Sequence, residues 1–150
     1  MRLSSLAVFG VCGLIFGGWL MTAEAQDDSE KEFKKLSGVY TLVSGEANGE
    51  KLPEKTVKGS TLTLKGAKYT VKLGDITFSG IQKLAPTKTP KEIDATDSDG
   101  VNKDKTILGI YKLEKGVFTV CFAPPGKDRP KEFSAKANSG EFIHVWKKSK

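Results

Sequence analysis

The chain has 150 residues and a formal charge of +6, with 28% of its residues charged. That is one domain's worth of sequence, enough for a single hydrophobic core. The positive charge is nearly all lysine, alternating with acids and never forming a block, which reads as a solvated surface and argues against a clustered-arginine nucleic-acid interface.

Residues 1–25 read as a secretory signal peptide: Arg2, an apolar run from Leu6 to Met21, then Ala23-Glu24-Ala25 as a small-residue cleavage site. The run is short and lacks a positive stop-transfer cluster, so a cleaved leader is expected rather than a membrane anchor. Cleavage after Ala25 would export residues 26–150 to the periplasm or the cell exterior. Cys12 would leave with the leader, and Val11 before it does not suit a lipidation site. Cys121 would then be alone, which excludes an intrachain disulfide.

Residues 26–36 form a charged N-terminal linker, either a short helical lid or a disordered tether, with Phe33 and Leu36 three apart. Gly38 to Val43 is β-branched and aromatic and reads as a strand, broken at Ala47-Asn48-Gly49-Glu50. Pro53 to Lys58 suits one helical turn. From Leu62 to Ser79 the apolar period is two, with turns at Gly66 and Gly74-Asp75, as tight antiparallel hairpins require. A short polar strand is expected near Glu92 to Asp97. Thr106 to Leu113 and Val117 to Ala123 then make the strongest hairpin, apolar on both faces and expected to be the best-covered part of the sheet. Strands at Glu132 to Ala137 and Glu141 to Lys147 complete the series.

Eight or nine short strands with little helix predict an all-β fold. Hairpin-after-hairpin order favours a small antiparallel up-and-down β-barrel, which removes exposed edges. A barrel of that size is filled by side chains or holds one small ligand.

Three segments carry a family resemblance: Leu84-Ala85-Pro86-Thr87-Lys88-Thr89-Pro90-Lys91-Glu92-Ile93-Asp94, Thr106-Ile107-Leu108-Gly109-Ile110-Tyr111-Lys112-Leu113, and Cys121 to Phe133 with its C-F-A-P-P-G-K-x-R-P stretch. In this order the chain resembles an uncharacterised family of secreted bacterial domains, expanded in planctomycetes and described as lipocalin-like. The resemblance implies a lipocalin-like barrel over residues 37–148 and brings no activity, ligand or catalytic residue with it. Gly38-Val39-Tyr40 is similar to the G-x-W that opens the first lipocalin strand, with Tyr40 in place of Trp. By that analogy Lys147 or Lys148 would sit over the aromatic ring.

Few residues point to chemistry. Asp97, Asp99, Asn102 and Asp104 share one loop, but Ala95 and Thr106 stand where a calcium-binding helix–loop–helix register needs acids. The loop reads as a solvated turn, and no metal is expected. His144, the only histidine, falls on the same strand face as Phe142 and Trp146. It could act as a base only if Cys121 or Ser139 converged on it. Cys121, between Val120 and Phe122, reads as a small buried hydrophobe. With no catalytic motif and no cofactor site, the chain is expected not to be an enzyme.

The expected function is a secreted, monomeric binding module for an unidentified small apolar or amphipathic molecule, or for an extracytoplasmic protein. Candidate barrel-interior contacts are Tyr69, Val71, Phe78, Tyr111 and Phe142. Candidate rim contacts are Lys127 and Arg129, in a loop stiffened by Pro124, Pro125 and Pro130, with Lys83, Lys88 and Lys91 joining them if both loops share a barrel end. The alternative is an extracytoplasmic inhibitor that acts on an extracellular enzyme through that rigid loop.

Overall fold

The computed structural model describes residues 23–150, and the expected leader up to residue 22 lies outside them. Helix α1 (Ala23–Leu36) is followed by β1 (Gly38–Ala47), β2 (Glu50–Lys51), the one-turn helix α2 (Glu54–Val57), β3 (Thr61–Lys65), β4 (Lys68–Leu73), β5 (Ile76–Ala85), β6 (Lys91–Asp97), β7 (Thr106–Glu114), β8 (Val117–Phe122) and β9 (Phe142–Lys148). All pairings are antiparallel, in the order β1-β3-β4-β5-β6-β7-β8-β9, and β9 pairs back with β1. Eight strands therefore close an up-and-down barrel, and β2 hangs on the end of β1 as a two-residue hairpin arm. The Asn48-Gly49 turn of that arm has φ of 52° and 85°, the left-handed pair that a tight hairpin needs.

Alternation decides which side chains turn inward. In β3 and β4 the buried residues Leu62, Leu64, Tyr69 and Val71 face the interior, and the threonines and lysines between them face water. The β7–β8 hairpin is buried on both faces, as its sequence predicts. Tyr111, Phe118, Val120 and Phe122 enter the core, while Ile110 and Cys121 lie outside it and are 1% and 0% exposed. Their cover is the segment between β8 and β9. There the expected strand from Glu132 to Ala137 does not form. A closed barrel has no free edge to receive it. Its period-two pattern instead lays Ala135 down as a buried residue, and Cys121 Sγ donates to the Ser134 carbonyl at 3.1 Å.

Residues 26–36, read as a linker, are helical and close one barrel end. Ser29, Glu32, Phe33 and Leu36 recur at helical spacing and form the contact face. Leu36 is 1% exposed, and Ser29 Oγ reaches the Leu84 carbonyl at 3.1 Å. Glu32 is buried as well and accepts hydrogen bonds from Lys91 at 2.5 Å and Tyr111 at 3.3 Å. Tyr40 donates to the Leu36 carbonyl at 2.6 Å. Lys148, rather than Lys147, lies over the Tyr40 ring at 5.7 Å and donates to the Lys35 carbonyl at 3.1 Å. Rings of Tyr40 and Tyr111 flank Phe118, each with centroids 6.0 Å apart. This end is a packed aromatic core, with burial worth about 1.5–3 kcal/mol per large side chain. Among the described residues, no helix is long and apolar enough to cross a membrane.

Candidate functional site

Away from α1 the barrel interior is not filled. A cavity of about 460 Å³ opens toward the end that carries the β4–β5, β6–β7 and β8–β9 connections. Its walls are mainly aliphatic and phenyl groups, and exposed Ile76 and Val101 flank the mouth. A volume of this size is typical of small-molecule sites.

Four of the five interior residues expected from the sequence, Tyr69, Val71, Phe78 and Phe142, line this cavity. Tyr111 does not. It sits under α1, 1% exposed, with its hydroxyl on Glu32. Strand alternation correctly turns Tyr111 inward, but position along β7 places it in the closed end, where the helix needs a donor for a buried carboxylate.

Beyond the expected Tyr69, polar groups of the cavity come from residues that sequence reasoning assigned elsewhere or passed over. Tyr69 donates to Asp97 Oδ1 at 2.5 Å. The pairing requires Gly80 on the intervening strand, because a Cβ there would overlap both the Tyr69 hydroxyl and the Thr96 carbonyl. Burial raises the Asp97 pKa, the Tyr69 hydrogen bond opposes that rise, and the nearby Asp99 charge adds to it. Burial, then the bond to Asp97, raises the Tyr69 pKa. Asp99 accepts from the Ser79 backbone N–H at 2.8 Å and from its hydroxyl at 2.7 Å. Asp97 and Asp99 of the acidic loop are thus committed to β4 and β5, and among the described residues no three ligating groups converge on a metal position. Gln82, 4% exposed, lines the cavity from β5. The period-two signal that would have found it continues through Gly80, Gln82 and Leu84, past the Ser79 limit read from sequence.

His144 also lines the cavity, in a row of rings between Phe142 at 5.2 Å and Trp146 at 5.8 Å. Burial lowers its pKa from 6.5 to about 4, so the ring is neutral near pH 7. Among the described residues no protein group hydrogen-bonds it. Cys121 cannot partner it: His144 pairs with inward Val120, whereas Cys121 turns to the outer face. Burial also raises the Cys121 pKa, the opposite of what a reactive thiol requires. Ser139 is bonded to the Lys136 carbonyl in the outer segment.

The rim expectation fares differently at its two residues. Lys127 is exposed. Arg129 is turned into the fold, donating to the carbonyls of Ile93 at 3.0 Å and Gly109 at 2.7 Å and to Asp94 at 2.6 Å, with Glu92 at 3.5 Å. It clamps the β8–β9 segment across β6 and β7. Lys91 is likewise engaged, on Glu32 at the closed end, and Lys83 and Lys88 belong to the β5–β6 side of that end. The two loops do not share a barrel end. No family model, curated protein or solved structure matches the chain.

Proposed function

We propose that the protein is a non-catalytic binding module that holds one small apolar or amphipathic molecule inside its barrel. The observation that carries this reading is the open cavity of about 460 Å³ beside an otherwise densely packed aromatic core. Tight packing is the norm for protein interiors, and leaving such a volume unfilled forgoes dispersion contacts. A ligand of complementary shape restores them. The polar groups at Tyr69–Asp97, Gln82 and His144 are few and spaced around apolar walls, which is how binding sites fix orientation. A reaction would need a nucleophile beside a base, but Cys121 turns to the opposite face of β8 from His144's partner Val120, and Ser139 is engaged with the Lys136 carbonyl.

Export through cleavage after Ala25, a monomeric state and membership in the lipocalin-like secreted family form part of the same proposal. Removal of the leader is compatible with the fold: Ser29, Glu32, Phe33 and Leu36 all lie downstream of Ala25 and would remain. Native mass spectrometry of protein purified from its own cell envelope tests the reading. Beside the apoprotein it should show a monomer carrying one added small-molecule mass, absent from an Ala95→Phe variant whose ring occupies the cavity. Protein that never carries such a mass, with or without added apolar extract, would count against it.

A further inference from the structure

We propose, resting on the binding reading above, that the cavity prefers amphiphiles with a cationic head, of the alkylammonium type, over fatty-acid anions. The chain has 24 lysines and arginines and a net charge of +6, yet among the described residues no lysine or arginine lines the cavity. The charged side chains that do are Asp97 and Asp99. Both belong to the stretch that leaves β6 at the open end, above an apolar wall.

Their geometry is held in place before any ligand arrives. The Tyr69 hydroxyl fixes Asp97 through Oδ1 alone, and among the described residues no donor hydrogen-bonds Oδ2. Ser79 holds Asp99 through both backbone and hydroxyl. One neutral polar group, Gln82, belongs to the same lining. Gln82 is 96% buried, and its Nε2 reaches the Gly66 carbonyl only at 3.5 Å. Since no buried side-chain polar atom among the described residues lacks a partner, its Oε1 faces the open volume rather than the sealed core. An amide oxygen that faces the cavity can accept a hydrogen from water or from a ligand head.

An ammonium head at the mouth would donate to Asp97 Oδ2 in a charge-assisted hydrogen bond, while the alkyl tail replaced solvent along the aliphatic walls. A carboxylate head would meet two like charges with no lysine or arginine among the lining residues to offset them. His144 does not compensate, because its ring is neutral near pH 7. Specificity of this kind comes as much from the penalty on the wrong head as from attraction to the right one.

Calorimetric titration with octylammonium, octanol and octanoate at neutral pH and low salt tests the preference, on the wild type and on Asp97→Asn and Asp99→Asn. Octylammonium should bind at least about tenfold tighter than octanol, and octanoate more weakly than both. In Asp97→Asn the ammonium-to-alcohol ratio should shrink to about threefold or less. Asp99→Asn, at an exposed carboxylate, keeps the test open if Asp97→Asn fails to fold, and should shrink the ratio in the same direction. Octanoate binding as tightly as octylammonium would overturn the preference, as would a ratio untouched by both substitutions. Octanol binding without discrimination between heads would remove the charge preference alone. Failure of all three ligands to bind would remove the binding reading with it.

Discussion

Two titrating side chains mark the two ends of the barrel, and each carries a pH signature. Burial works against the charge on Glu32, but the hydrogen bonds and charges of Lys91 and then Lys35 outweigh it and lower its pKa. A lowered carboxylate stabilises the fold above its unfolded value near 4.5 and loses that contribution as pH falls through the folded value. Glu32→Ala should therefore destabilise the protein at pH 7 by about 2 kcal/mol, at the low end for buried pairs because Lys91 is part-exposed. Urea melts at pH 7 and pH 3 check this, and the difference between variant and wild type should shrink at the lower pH. His144 is depressed to about 4 from 6.5, so the unfolded chain takes a proton that the folded chain refuses. Stability should fall as pH drops from about 6.5 to about 4, by on the order of 3 kcal/mol in all. Because the chain has one histidine, a proton NMR titration reads it without ambiguity. A midpoint near 4 is expected, and one near 6.5 would mean the ring is not buried in the cavity wall.

At the scale of elements, Arg129 is the fastener of the long β8–β9 segment. Arg129→Ala removes the donors to Ile93, Gly109 and Asp94 together. It should cost about 2 kcal/mol, since charged hydrogen bonds leave acceptors unpaired when the donor goes. Amide hydrogen exchange should accelerate in residues 124–141 before it does in β3 and β4. Uniform acceleration would mean that the clamp supports the whole barrel rather than this segment. The sequence signal explains why strands were legible and this segment was not. Apolar–polar alternation in β3 and β4 reports a sheet face whichever strand lies beside it. Glu132 to Ala137 alternates in the same way, but forming a strand needs a partner edge, and closure of β1 on β9 had used the last one. In α1 the apolar signal was only Phe33 and Leu36. The other two contact residues, Ser29 and Glu32, are polar, and their burial depends on Leu84, Lys91 and Tyr111 far along the chain.

For the whole molecule the governing contrast is between a filled end and a hollow one. Trp146, Tyr40 and Tyr111, each no more than 1% exposed, give the closed end its rigidity. The open end gives up that packing around its cavity. Alternation in sequence showed which residues turn inward, and so placed Tyr69, Val71, Phe78 and Phe142 on the cavity wall. It carried no information on height within the barrel, which is why Tyr111 fell at the wrong end, whereas Gln82 lay past the point at which the period-two run was read as ending. The hollow end makes the most direct measurement a titration with N-phenyl-1-naphthylamine, a neutral dye that brightens in apolar surroundings. The wild type should show saturable binding at one site per chain, displaced by octanol. Ala95→Phe, folded by circular dichroism, should show none. Equal dye binding by both proteins, or none by the wild type, would contradict a ligand-holding barrel.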